Sequence, residues 1–371
     1  MKTKISLYVH VPFCSRKCVY CDFTSVVNEK LIPSYFEAME KEIDLRSCKN
    51  FEVFTMYFGG GTPSHVDVGY ISKLMKKIES AFEINAQEIT LEMNPEDVTD
   101  DKCHRLKDLG VNRISLGLQS SSNEILKVIG RPYTLEDFLK RYYIVRKYFN
   151  NVNIDLMYNL PFERLSDVES DLRIIESTRP DHISFYELEL HEGTPLYSMV
   201  NAGVARLPSE EISERMYDTI VDGLENFGYK RYELSSWTLE KPSIHNINYW
   251  ENGEYLGIGV SAGSHIGTER SVNLSDINDY FAKIRSNLLP YEYHKNNSLK
   301  EEIGETIFMG LRLARGINEN DLRTKFGSEL TAIYLEKLDK FRGYFLESKD
   351  GFLRFTKEGM KFSALVLSEL V

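Results

Sequence analysis

Two hydrophobic periods alternate through the first half of the chain. Short runs rich in β-branched and aromatic residues recur at Ile5–Val11, Val53–Phe58, Glu88–Met93, Arg113–Leu118, Asn153–Tyr158 and His182–Leu188, and these read as strands. Between them apolar residues return every three to four positions. That spacing predicts helices over Ile32–Arg46, Asp67–Ala81, Thr99–Leu109, Asn123–Ile129, Thr134–Phe149 and Leu165–Ser177. Strand–helix alternation at this interval implies βαβ units, hence a parallel sheet with right-handed crossovers. Six such units fall short of the eight that close a barrel. The pattern therefore predicts an α/β fold, a partial (βα)6 barrel over residues 1–192, with ligands at the carboxyl ends of its strands.

Beyond Gly193 the pattern changes. Residues 193–296 read as an accessory segment, with an amphipathic helix over Ser209–Phe227, then Tyr229–Trp237, then a stretch rich in Gly, Asn, Ser and aromatics from His245 to Gly267. Residues 297–371 carry three helical patterns and a hairpin, Phe345–Phe355, turning at Lys349-Asp350-Gly351. This predicts a small winged-helix-like C-terminal domain. A wing raises the question of DNA, but the segment holds 12 basic and 12 acidic residues, and the whole chain carries a net charge of −11. Nucleic-acid binding needs a basic face that displaces counterions, so a DNA-binding role is disfavoured. No apolar run reaches the roughly 18 residues of a membrane span, and the basic start, Met1–Leu7, lacks the long apolar stretch and cleavage site of a signal peptide. The expectation is a cytoplasmic protein with no transmembrane segment.

Three of the five cysteines form one cluster, Cys14-x-x-x-Cys18-x-x-Cys21, while Cys48 and Cys103 stand apart and are expected as small apolar residues on helices. One dense cluster with an odd total fits a reduced compartment and a metal centre better than a disulfide framework. Iron–sulfur cubanes normally take four thiolates, one per iron. Three thiolates on one short loop hold three irons of a [4Fe–4S] cluster and leave the fourth open to chelate S-adenosylmethionine (SAM). An electron from such a cluster cleaves a carbon–sulfur bond of SAM to give a 5′-deoxyadenosyl radical. The plain alternative is a zinc knuckle, but zinc wants a fourth Cys or His at ligand spacing, and no Cys-x-x-Cys partner follows.

These residues, extended to Tyr8–Cys14, Cys18–Phe23 and Gly59-Gly60-Gly61-Thr62-Pro63, resemble the radical SAM branch that contains oxygen-independent coproporphyrinogen III dehydrogenase and the haem chaperone HemW. The resemblance continues through Glu92–Pro95, Arg113–Ser120, Asp155–Pro161, His245-Asn246-Ile247-Asn248-Tyr249-Trp250 and Tyr255–Gly259, nearly the whole chain. Three features lean to the chaperone side. Phe23 stands where the dehydrogenase has a further Cys, the His-Asn-x-x-Tyr-Trp motif is present, and Cys14 lies close to the start, without the dehydrogenase's extension before the cysteine loop.

The resemblance implies a haem-binding chaperone that carries a [4Fe–4S] cluster on Cys14, Cys18 and Cys21 together with SAM, draws on an electron donor, and transfers haem to an acceptor protein. The alternative it implies is the dehydrogenase, which oxidatively decarboxylates porphyrinogen propionates. It places the SAM methionyl part at Gly60, Gly61 and Thr62, where glycines let backbone approach a ligand; alone, the glycines read as a tight strand–helix turn. Glu92, at a strand end, offers an acceptor for the amino or ribose hydroxyl groups. Gln119, Arg131 and Asp155 join it by resemblance, and Tyr8 and Tyr20 flank the cluster. Arg131 otherwise reads as a surface cation at a helix end, and Asp155 as a buried carboxylate capping a loop. His245 is the candidate haem ligand; its alternative is a structural His in a loop packed on aromatics. The family's Gly-Ile-Gly-x-Gly-Ala-His reads here Gly257-Ile258-Gly259-Val260-Ser261-Ala262-Gly263, so His265 is the next candidate, and a usual His after Gly130-Arg131 is Tyr133. No residue is singled out as catalytic.

Overall fold

In a computed structural model, which describes residues 2–47 and 50–370, the six sequence-predicted strands form as β1 (Thr3–Val11), β2 (Phe51–Gly60), β3 (Glu83–Met93), β4 (Arg113–Gln119), β5 (Val152–Tyr158) and β6 (His182–Glu187). All are parallel and adjacent in chain order. The crossover helices begin where side chains answer their orphan N–H groups. Asp67 accepts from Gly69 N, Thr99 from Lys102 N and Ser122 from Ile125 N, and Thr134 closes a capping box with Asp137. Cys103 is buried on the helix Asp100–Asp108, and Cys48 lies outside the described residues.

Alternation along each strand separates two environments. Ile5, Leu7, Val9 and Val11 on β1, Leu91 on β3, Ile114, Leu116 and Leu118 on β4 and Ile154 and Leu156 on β5 are wholly buried in the core shared with the helices. The intervening residues bond to one another across the lumen: Thr55 donates to Ser6 (2.7 Å), Tyr57 to Glu92 (2.8 Å), Ser115 to Asp155 (2.8 Å), and Asn153 to both Ser115 and Asp155 (2.7 Å each). The barrel thus carries its apolar core outside and a polar interior. That interior is affordable only if its groups find partners.

The accessory segment extends this sheet at both open edges. On one side β7 (Lys230–Glu233) and β8 (Ser236–Thr238) make a hairpin antiparallel to β6. On the other, β9 (Tyr255–Ile258) runs parallel to β1 and is followed by β10 (Gly263–Ile266), β11 (Glu269–Asn273) and β12 (Tyr291–Asn296), all antiparallel. The result is one 12-stranded sheet. A single hydrophobic core runs from Ile5 to Ile284, so residues 193–296 share both sheet and core with the barrel.

A second core, Ile303 to Leu367, belongs to the C-terminal domain. Its order is helix Leu299–Leu311, β13 (Ile317–Asn318), helices Glu319–Phe326 and Ser328–Leu338, then the hairpin β14 (Leu346–Lys349) and β15 (Phe352–Phe355), in a separate three-stranded sheet. Asp350 and Gly351 both take positive φ (53° and 82°), as a two-residue hairpin turn requires. Among the described residues, no helix is long and apolar enough to cross a membrane.

Candidate functional site

The cysteine loop follows β1 and is pinned at its base: Cys14 N donates to Val26 O (3.1 Å) and Val26 N to Pro12 O (2.7 Å). Leu196 N reaches back to Val19 O (2.9 Å), and Cys21 N closes a turn onto Cys18 O (3.3 Å). Cys14, Cys18 and Cys21 are free and half-buried, and all three line a cavity of about 540 Å³ at the carboxyl ends of the strands. Among the described residues, no three Cys, His, Asp or Glu side chains converge on a single-ion site. A cubane takes one thiolate per iron, and three thiols of one loop stand at this cavity. Burial pushes the Cys14 thiol up to about 11, against the opposing pull of the Thr62 hydroxyl and the Arg131 charge. Binding iron there therefore releases protons.

Of the residues expected to hold SAM, Gly60, Gly61, Thr62, Glu92, Gln119, Arg131, Asp155 and Tyr20 all line this cavity. Glu92 Oε1 accepts from Tyr57 and Oε2 from Gly60 N (3.2 Å); burial raises its carboxyl to about 7. Burial also raises Asp155, although Ser115 and Asn153 bond its charged form. Gln119 sits at a register shift between β4 and β5 with φ of 70°, so the backbone turns inward at the strand end. Arg131 is not a surface cation. Its Nη1 donates to Asn94 Oδ1 (2.9 Å) and its Nη2 to Tyr20 Oη (2.6 Å).

Three expectations gain structural detail. Tyr8, expected beside the cluster, is set inward by the alternation along β1, where its hydroxyl meets His10 Nδ1 (3.2 Å) and its ring lies 6.2 Å from that of Tyr57. It is absent from the described cavity wall. The glycines of the Gly59–Gly61 turn face protein where a side chain would stand. A Cβ on Gly60 would come within 2.6 Å of the His10 ring, and one on Gly61 within 2.6 Å of the Pro12 carbonyl and 3.0 Å of Cys14 Sγ. Close packing of this turn against the cysteine loop demands glycine before any ligand arrives.

The third concerns His245, expected either as the haem ligand or as a structural His packed on aromatics. It lies on a short helix, Ile244–Trp250, rather than in a loop, and is 1% exposed. Glu88 holds the start of that helix, accepting from Ser243 Oγ (2.8 Å), Ile244 N (2.9 Å) and His245 N (3.1 Å). Thr55 spends its proton on Ser6, so His245 Nδ1 donates to Thr55 (2.9 Å), and Nε2 accepts from Tyr249 Oη (3.1 Å). The ring sits 5.1 Å from that of Tyr57 and 4.9 Å from that of Tyr249. Both ring nitrogens thus have partners within the protein. His265, the next candidate, is 2% exposed and 3.5 Å from the buried Glu302.

The sequence reading passed over other residues at the cavity. Phe23, used there only as a family marker, is 64% exposed on its rim, and Ser115, Met157, Tyr186 and His191 line it. Ser115, Met157 and Tyr186 follow from counting alternate positions along β4, β5 and β6. His191 sits just past β6, where no periodic signal marks it.

Residues 8–175 match the radical SAM superfamily and residues 297–362 the HemN C-terminal domain. The chain is 31% identical over 336 residues to the haem chaperone HemW of Bacillus subtilis, covering 89% of each chain. It is 35% identical to the haem chaperone HemW of Buchnera aphidicola from Schizaphis graminum, covering 96% of each. The structure of coproporphyrinogen III oxidase (HemN) from Escherichia coli, a radical SAM enzyme, superimposes with a TM-score of 0.87 over 100% of this chain and 90% of that one. At 21% identity that match speaks for the fold alone.

Proposed function

This chain belongs to the HemW haem chaperone family of the radical SAM superfamily, and on that premise we propose that it binds haem and delivers it to an acceptor protein, carrying a [4Fe–4S] cluster and SAM. Support comes above all from one arrangement: three free thiols sit at the open end of a polar-lined barrel, beside two half-buried carboxylates and a guanidinium. Cys14, Cys18 and Cys21 would hold the cluster, which when bound supplies an open iron for the amino and carboxylate groups of SAM and an electron from an external donor. Glu92, Gln119 and Asp155 present acceptors toward the same cavity, suited to ammonium and hydroxyl groups. Thr62 and Arg131 brace the cysteine loop. The exposed Phe23 beside Cys21 gives the rim an apolar face of the kind a flat macrocycle packs against.

The test is anaerobic reconstitution followed by haem titration and a coproporphyrinogen III turnover assay on the same sample. The expected result is about one haem per chain and no protoporphyrinogen with SAM and a strong reductant present. Robust turnover would overturn the chaperone reading in favour of the dehydrogenase.

A further inference from the structure

A hydrogen-bond relay leads from Arg131 to the cysteine loop, and chemistry fixes its direction at each step. A guanidinium has only donors, so Arg131 Nη1 gives its proton to Asn94 Oδ1 at 2.9 Å. The amide Nδ2 of Asn94 must then face the other way, and it donates to Thr62 Oγ1 at 3.0 Å. The Thr62 hydroxyl in turn lies 3.3 Å from Cys14 Sγ. A thiolate has no proton to give, so once Cys14 is a cluster ligand the hydroxyl donates to its sulfur.

The relay is held firmly. Asn94 N donates to Ser64 Oγ (3.2 Å), and that hydroxyl donates to Asp97 (2.8 Å). The other arm of Arg131 grips Tyr20, between Cys18 and Cys21, so one guanidinium addresses the loop from two sides.

We propose that Asn94 is a positioning residue for the cluster, relaying the Arg131 charge through the Thr62 hydroxyl to the Cys14 sulfur and raising the cluster's reduction potential. The inference rests on the cluster reading above. Hydrogen bonds to cluster sulfurs tune reduction potential, and the outer partners of a ligand set its electronics. A donor on the sulfur stabilises the extra electron of the reduced cluster, so its loss favours the oxidised form.

The test compares wild type with Thr62→Val, Thr62→Ser and Asn94→Asp, each reconstituted anaerobically without SAM. Iron and sulfide are counted, and the midpoint potential is taken from a dithionite titration followed by electron paramagnetic resonance. Thr62→Val removes the donor. Asn94→Asp keeps the acceptor for Arg131 but turns the Thr62 hydroxyl away from the sulfur. Both should lower the reduced-to-oxidised ratio at fixed ambient potential about tenfold, roughly 59 mV for one electron, with iron content unchanged. Thr62→Ser should restore the wild-type value. A fully loaded Thr62→Val protein with an unshifted potential overturns the proposal; if that variant does not fold or load, an unshifted Asn94→Asp protein does so. Wild type that takes up no iron would sink the cluster reading itself.

Discussion

The two ends of the barrel are built from the same six strands and treat polar groups in opposite ways. Toward the amino-terminal ends, a helix from the accessory segment enters the lumen and its groups are answered. Glu88 takes three donors, and both nitrogens of His245 are engaged. His182 bonds Asn153 (2.5 Å) and Tyr232 (2.8 Å). At the carboxyl ends, three thiols are left open to a cavity that Glu92, Gln119 and Asp155 also line, the two carboxylates braced by Tyr57, Gly60 N, Ser115 and Asn153. A polar lumen is closed where an inserted helix fills it with partners, and becomes a binding site where free thiols and braced carboxylates face a cavity. Arg113 marks the seam: it is buried, yet its Nε and Nη1 have no hydrogen-bond partner among the described residues.

The largest effect expected from this contrast is at the thiols. Cys14→Ala, Cys18→Ala or Cys21→Ala should each reduce iron and sulfide after reconstitution from about four of each to near zero, because a cubane on two thiolates is not retained. Retention of full iron content in any of the three would remove that cysteine from the ligand set.

His245→Ala should cost about 2–4 kcal/mol of folding stability in urea denaturation, since it empties a buried site and orphans Thr55 and Tyr249. Haem affinity measured on the same samples sharpens the contrast. Haem binding lost at unchanged stability would make His245 a ligand and contradict its place in the closed end.

The two ends should also respond oppositely to pH. Burial holds His245 down at about 3 and His182 well below its ordinary value. Their contribution is intact above the unfolded value near 6.5 and is lost as pH falls toward the folded one. Burial raises Glu92 to about 7, so its contribution is present below the unfolded value near 4.5 and is lost as pH rises through 7. Glu92→Gln should therefore stabilise the cluster-free protein by roughly 1–2 kcal/mol at pH 8, a figure discounted because the carboxylate faces an open cavity, and by little at pH 4. Urea midpoints at the two pH values check this; equal gains at both would contradict it.

The smallest effect is expected at Cys103, a buried thiol on the helix Asp100–Asp108. Cys103→Ala should cost about 1 kcal/mol and leave reconstituted iron unchanged.

Much of this was legible in the sequence, and the parts that were not share a cause. The six strands and their helices follow from period alone, because each buries one face against its neighbours in a regular βα order. The cysteine loop was legible because cluster chemistry dictates ligand type and spacing. The helix that carries His245 was not: it is seven residues long, and Glu88, 157 positions away, fixes its start. The edge strands β7 to β12 were equally hidden, since strands this short gain their stability from the sheet they join. The glycines of Gly59–Gly61 were visible, but their reason lies in His10, at the end of β1, and Pro12, just beyond it, packed against them.

The most direct test of the open end is the paramagnetic spectrum of the reduced, reconstituted protein with and without saturating SAM. The account predicts that SAM alters the signal, because its amino and carboxylate groups enter the coordination of the one iron that Cys14, Cys18 and Cys21 leave free. A spectrum unchanged by SAM, with iron content intact, would mean that this iron is already satisfied and would contradict the assignment of the cavity.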